Sequence, residues 1–177
     1  NSTTNRSTPV AVSVSQFFNE IVAGDASTCG ITTSGAAFCW GLNNLGQLGN
    51  GSNSNSSVPV EVMGNHSFAK ISTFGVHACG ITTNGAAYCW GYNMQGQLGN
   101  GTYYNSPYPV AVNGNIVFTD ITGGSNHTCG ISNSGAAYCW GNNFLGSLGN
   151  GTFGGSPNPV QVYGGRLFSK IDAGMHF

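Results

Sequence analysis

Six cysteines are the residues of this chain best placed to do chemistry, and their spacing decides which chemistry. They stand as Cys29 and Cys39, Cys79 and Cys89, and Cys129 and Cys139, ten positions apart within a pair and 50 from one copy to the next. Zinc ribbons supply their thiolates as close CxxC pairs, and none occurs here. The pairs bracket three near-identical stretches, CGITTSGAAFCWG, CGITTNGAAYCWG and CGISNSGAAYCWG. Read as strand, turn and strand, the first closes on Thr33-Ser34-Gly35, with glycine at the left-handed position of a bulged turn. Counting outward, Thr32 faces Ala36 and Cys29 faces Cys39. Facing residues of a ladder lie about 4.5–5.5 Å apart, within reach of a disulfide. The same count joins Cys79 to Cys89 and Cys129 to Cys139, so the spacing predicts one disulfide inside each repeat.

Other reactive types are sparse. His77 and His127 share a phase of the repeat that Ser27 fills in the first copy. This points to a structural histidine bonded to a neighbouring backbone group rather than to a ring of metal ligands. The acids are Glu20, Asp25, Glu61, Asp120 and Asp172. They form no carboxylate pair at matching phases, and no nucleophile elbow accompanies them, so general acid–base catalysis lacks its groups. The glycine-rich GLNNLGQLGNG does not match a phosphate loop. Each repeat has a single tryptophan, which suits core packing. No catalytic residue, metal or cofactor is assigned.

These residues need elements to position them, and the 50-residue period supplies them. PV segments start at Pro9, Pro59, Pro109 and Pro159; Phe18, Phe68, Phe118 and Phe168 share a second phase, and Ile21, Ile71, Ile121 and Ile171 a third. Turn residues such as Asn113-Gly114-Asn115 and Gly164-Gly165 lie between PVxV and FxxI, which predicts that those two segments form a second hairpin. Four short strands per period, with no helical periodicity, indicate an all-β chain built as a β-propeller of four-stranded blades. Residues 1–8 are expected to be a linker or the end of a preceding loop. The blades are then drawn at 9–58, 59–108 and 109–158 with a partial fourth at 159–177, about three and a half in all.

Agreement among the copies separates framework from surface. Trp40, Trp90 and Trp140, the LGNG runs at Leu48, Leu98 and Leu148, and Asn43, Asn93 and Asn143 are constant. The tryptophans are expected to pack between neighbouring blades. Tyr92, Tyr103, Tyr104, Tyr108, Phe144 and Phe153 fall at varying positions in or near loops. Rigid aromatics there either anchor a protein or glycan partner or cover the apolar ends of their own blades. Glu20, Lys70, Asp120 and Lys170 share one phase with alternating sign, so opposite charges are expected to meet at successive blade boundaries.

Composition limits the partners. Nine of 177 residues are charged and the net charge is −1, against about 25% charged in ordinary soluble domains. Without a basic patch, nucleic acid and anionic membrane surfaces are excluded. No apolar run approaches the roughly 20 residues of a membrane span. No basic-then-apolar leader stands at the start, so any secretory signal is expected to have been removed or never to have been part of this sequence. Paired cysteines imply an oxidising, extracellular or cell-surface location. Asn-x-Ser/Thr occurs at Asn1, Asn5, Asn50, Asn55, Asn65, Asn100, Asn126 and Asn150. Asn50, Asn100 and Asn150 recur beside glycine in a predicted loop and are the first candidates for glycosylation, with Asn55 and Asn65 next. Asn126, close to a strand entry, is expected to be used less. The alternative is that these are unmodified turn asparagines.

The run HTCGISNSGAAYCWGNNFLGSLGNG from His127 resembles the repeat of the regulator-of-chromosome-condensation family, and the likeness recurs over nearly all of residues 9–177. The resemblance implies a seven-bladed propeller. Seven 50-residue blades need about 350 residues, so further blades of the same or a longer chain are expected partners. Similar proteins include an exchange factor for a small GTPase, a plant photoreceptor and an inhibitor of β-lactamase, so fold alone does not assign function. The cysteines favour a secreted, disulfide-stapled, non-catalytic binding or structural module. A guanine-nucleotide exchange factor is one alternative, and it would keep its cysteines reduced. The other, an enzyme inhibitor, would concentrate aromatic and acidic residues on one face.

Overall fold

Twelve strands of five to seven residues form in the structure, a computed structural model that describes residues 4–5, 7–8, 11–12 and 15–174. The first blade holds β1 (Phe18–Ala23), β2 (Ser27–Thr32), β3 (Ala37–Gly41) and β4 (Ser56–Glu61). The second holds β5 (Phe68–Phe74), β6 (His77–Thr82), β7 (Ala87–Gly91) and β8 (Ser106–Ala111). The third holds β9 (Phe118–Gly123), β10 (His127–Ser132), β11 (Ala137–Gly141) and β12 (Ser156–Gln161). Each blade is one antiparallel sheet with its strands in chain order. No helix forms among the described residues. The all-β, four-stranded propeller blades expected from the period are present.

The cysteine hairpin has the predicted register. Cys29 lies opposite Cys39, Gly30 opposite Phe38 and Ile31 opposite Ala37, and the other two copies match. Gly35 takes φ 87°, and its N–H donates to the Thr32 carbonyl. Disulfides join Cys29–Cys39, Cys79–Cys89 and Cys129–Cys139, with Cα separations of 4.1, 4.0 and 4.1 Å. No free cysteine remains.

The second predicted hairpin does not form. Val60, Val110 and Val160 of the PV strands pair with Cys39, Cys89 and Cys139, while Phe68 and Phe118 open the next sheet. The turn between PVxV and FxxI carries the chain from one blade to the next instead of folding it back. Phe68 N–H is held by the Gly35 carbonyl of the preceding blade at 2.8 Å, and Phe118 N–H by Gly85 in the same way. The sheets therefore span 18–61, 68–111 and 118–161, and the divisions drawn from the prolines cross them. Three blades are complete, and residues 167–173 lie along the third as the start of another, through a Leu167–Ala136 bridge and a Phe168 N–H bond to Gly135. The first PV segment, Pro9–Val10, lies outside the described residues. Prolines 59, 109 and 159 stand on the outermost strand of each sheet, an edge where a missing N–H breaks no ladder.

The core lies between blades. Cys29, Cys39, Ile31, Ala37 and Leu48 of the first blade are buried against Phe68, Ile71, Ala78 and Trp90 of the second. Cys79, Cys89, Ile81 and Leu98 meet Phe118, Ile121 and Trp140 in the same way. Each disulfide therefore faces the following blade. As expected, Trp90 and Trp140 pack between blades and are fully buried. Their indole N–H groups donate to the Gln47 and Gln97 carbonyls of the preceding blade at 3.1 and 2.9 Å. The recurring glycine of each CGI segment is explained by packing. A Cβ at Gly30, Gly80 or Gly130 would lie 2.7, 2.6 or 2.8 Å from the ring of Phe18, Phe68 or Phe118.

Candidate binding surface

The long connections between third and fourth strands, residues 42–55, 92–105 and 142–155, carry the varying aromatics other than Tyr108. A constant buried asparagine holds each connection in shape. Asn93 Oδ1 accepts from Leu98 N–H at 2.9 Å, and its Nδ2 donates to the Thr102 and Tyr104 carbonyls, both at 3.0 Å. Its own N–H is held by Asn105 Oδ1 at 2.8 Å. Asn43 repeats the whole pattern, and Asn143 repeats its side-chain bonds, position 155 being glycine. One side chain thus closes the base of the loop; Leu48, Leu98 and Leu148 turn inward and are fully buried, while positions such as Met94, Tyr103 and Phe144 turn outward.

The loops of the second and third blades join. Asn142 Nδ2 donates to Gln95 Oε1 at 3.0 Å, and Gly101 N–H donates to the Pro157 carbonyl at 2.9 Å. Gly96 lies so close to Pro157 that an added Cβ would stand 2.7 Å from it. The ridge so formed presents Tyr104 at 82% exposure, Phe144 at 79% and Phe153 at 76%. Tyr103 is half-exposed beside them. These four do not cover their own blades. Tyr108 is exposed on the edge strand β8, and Tyr92 is half-buried at the loop's start, its N–H bonded to the Val76 carbonyl. Met94 and Leu145 belong to the ridge as well and are strongly exposed. Their phases vary among the copies, which is the signal that marks them in sequence. The first blade has Asn44, Asn53 and Ser54 at the corresponding positions, so the ridge turns polar there.

The sequon asparagines contribute to the same loops. Asn50, Asn100 and Asn150 are half-buried, and each side-chain oxygen accepts from the constant asparagine at 3.2 Å. Thr102 and Thr152 add hydroxyl bonds of 2.9 Å to Asn100 and Asn150. Asn55 is exposed, with its oxygen on Asn43 N–H at 2.7 Å. Asn65 is exposed in a turn at φ 51°.

Away from the ridge, the innermost strands gather charge. Five of the nine charged residues, Glu20, Lys70, Asp120, Lys170 and Asp172, line a recess of about 570 Å³. Lys70 Nζ donates to Asp120 Oδ1 at 2.5 Å. Glu20 and Lys70 form no ion pair, nor do Asp120 and Lys170, so the expected alternation of contacts holds at one boundary of three. Asp120 explains part of the difference, because Ile121 and Ile171 N–H groups occupy its oxygens. Buried His77 bonds through Nε2 to the Thr128 hydroxyl of the next blade at 2.9 Å. Its partner is a side chain, not the backbone group expected, and Thr128 relays the contact to the Gln97 carbonyl at 2.8 Å. Burial and, secondarily, His127 push the His77 pKa down to about 3. No group of three or more metal-capable side chains occurs among the described residues.

Comparison with known proteins agrees with this architecture. The sequence matches the Regulator of chromosome condensation (RCC1) repeat over residues 34–80 and 84–131, more than half of the chain, and a second description of that repeat over 18–47 and 118–147. No curated protein matches it. In structure it is similar to Prp20p from Saccharomyces cerevisiae, studied for its binding to Gsp1p and histones, with a TM-score of 0.80 and 20% identity over 89% of this chain and 42% of that one. It is also similar to the ectodomain of the receptor kinase CR4 from Physcomitrella patens, with a TM-score of 0.57 and 25% identity over 91% of this chain and 37% of that one. Human WBSCR16 gives a TM-score of 0.54 at 17% identity, over 93% of this chain and 57% of that one. The chain thus spans well under two thirds of these proteins. Repeat sequence, blade topology and the interblade tryptophans all lead to one assignment: the chain belongs to the RCC1 repeat family.

Proposed function

We propose that the chain is part of a secreted RCC1-type propeller that acts without catalysis, as a binding module on a cell surface or in an extracellular assembly. The observation that carries this reading is the pairing of all six cysteines in buried disulfides, one inside each blade. Such bonds persist in oxidising compartments and are rare in the cytosol. The ectodomain of CR4 shows that a similar architecture serves outside the cell in another protein. The ridge of Tyr103, Tyr104, Phe144 and Phe153 supplies the contact surface, since exposed rings on a fixed scaffold bind at low entropic cost. Asn50, Asn100 and Asn150 are the proposed glycosylation sites, with Asn55 and Asn65 secondary.

The test has two arms. Protein taken from its native source is alkylated before and after reduction and then mapped by mass spectrometry. All six cysteines are expected to react only after reduction, and free thiols in the untreated sample would overturn the secreted reading. A photo-crosslinking side chain at position 104 or 153 is expected to capture the partner, and one at exposed Glu61 is not. Equal capture at all three would remove the ridge from the reading.

A further inference from the structure

Resting on the ridge as the binding surface, we propose that its ligand is an uncharged carbohydrate chain, laid across the loops of the second and third blades. The three connecting loops, residues 42–55, 92–105 and 142–155, contain no Asp, Glu, Lys, Arg or His. An acidic polysaccharide would find no cation there, and a protein partner would find none of the charge pattern by which protein surfaces select one another. What the ridge offers is aromatic faces set in amides and hydroxyls. Tyr104, Phe144 and Phe153 hold their rings largely in solvent, and the electron-rich face of a ring attracts weakly positive C–H groups. The C–H faces of a pyranose match that surface. Asn142, Gln95, Asn113 and Asn158 form an uncharged amide fringe, joined in pairs by bonds of 3.0 and 2.8 Å. Amides both donate and accept, as sugar hydroxyls require.

The platform is held in place before any ligand arrives. Asn93 and Asn143 fix the loop backbones through Tyr104 and Gly154, so little order remains to be gained on binding. The first blade, with Asn44, Asn53 and Ser54, lacks the rings. The ligand is therefore confined to the second and third blades, and a chain of several sugar units spans two adjacent loops better than one unit does.

Isothermal titration of the intact chain, produced without N-glycans so that the loop asparagines stay amides, tests this. The probes are hexamers of β-1,4-glucose, β-1,3-glucose and N-acetylglucosamine, with a polygalacturonate oligomer as the charged control. Saturable binding of at least one neutral hexamer is expected, insensitive to added salt, and absent for the charged control. Tyr104→Ala and Phe153→Ala should each weaken it by about three- to tenfold, the worth of one aromatic contact. Both side chains are exposed, so unchanged melting temperatures are expected to show that the fold is intact. No binding of any neutral hexamer, binding abolished by salt, or binding unaffected by both substitutions would overturn the carbohydrate assignment. If the crosslinker at 104 or 153 still captures a protein in that case, the ridge stands as a binding surface and only its ligand class falls.

Discussion

At the scale of single residues, two contacts tie neighbouring blades together, and they respond to different variables. Thr128 has one hydroxyl proton and donates it to the Gln97 carbonyl. His77 must therefore donate from Nε2, which leaves Nδ1 bare, buried and without a partner. Burial first, and His127 second, disfavour the protonated ring and bring its pKa down to about 3 in the fold, and no group stands ready to accept an Nδ1 proton. The unfolded chain takes up that proton below about 6.5. Between these values the unfolded state binds more protons, so stability falls as pH drops from about 6.5 towards 3, by up to about 1.4 kcal/mol per pH unit. Thermal melts at pH 7 and pH 4.5 should show His77→Gln losing less stability on acidification than the parent. Equal losses would assign the effect elsewhere. Thr128→Val should cost about 1–3 kcal/mol at pH 7, because it leaves the buried Nε2 donor unsatisfied. The Lys70–Asp120 pair is a weaker link, because the Lys70 side chain is 41% exposed. A double-mutant cycle to alanine by urea unfolding should give a coupling of about 1 kcal/mol or less. Asp120→Ala alone should cost more than Lys70→Ala alone, since Asp120 also holds the Ile121 and Ile171 N–H groups.

At the scale of elements, the LGNG loop of one blade forms a socket for the tryptophan of the next. A Cβ at Gly99 would stand 2.7 Å from Trp140 Nε1, whereas one at Gly149 would meet only Val162, at 3.3 Å. Both glycines hold positive φ, 69° and 60°, so an alanine is strained at either position. The difference between Gly99→Ala and Gly149→Ala in this 177-residue chain thus isolates the tryptophan contact. Gly99→Ala should unfold at clearly lower urea concentration, and equal midpoints would refute the socket. Replacing Cys79 and Cys89 together with serine should cost about 2–3 kcal/mol from the loop-closure entropy of a ten-residue link, read as a lower midpoint with an unchanged slope. The cysteine hairpin was legible in sequence because both its strands lie within 15 residues, Ser27 to Gly41, so counting from Gly35 sets the register. The PV strand was not. Its partner lies about 20 residues upstream across a loop, while the FxxI segment is only a turn away. Turn residues look alike whether a chain folds back or crosses to a new sheet. The ridge was half legible. Variation among copies singled out Tyr103, Tyr104, Phe144 and Phe153, but the Asn142–Gln95 bond that joins their loops spans 47 residues and leaves no local mark.

At the scale of the whole molecule, the fold is a row of units in which each blade is completed by the one after it. Repeat architectures of this kind derive stability from neighbour interfaces as much as from the units themselves. The second blade has neighbours on both sides, and its burial shows it. Ile71 is 2% and Ile121 3% exposed, whereas Ile21, at the same phase of the first blade, is 53% exposed. Phe68 and Phe118 are almost wholly buried, while Phe168 of the incipient fourth unit is 37% exposed. Trp40 is half-buried where Trp90 and Trp140 are closed off. Local opening costs least where few apolar contacts must break, so amide exchange should rank the strands by this pattern rather than by sheet position alone. β1 and residues 167–173 should exchange first, although β1 occupies the same place in its sheet as the protected β5. β5, β6 and β10 should exchange last, with protection approaching that of global unfolding. Hydrogen–deuterium exchange followed by mass spectrometry on the 177-residue chain reads this directly. Uniform protection of β1, β5 and β9 would mean that each sheet is stable by itself and that the interblade core contributes little. A gradient centred on the second blade would mean that these interfaces, with their disulfides and tryptophans, are what make the repeats one folded body.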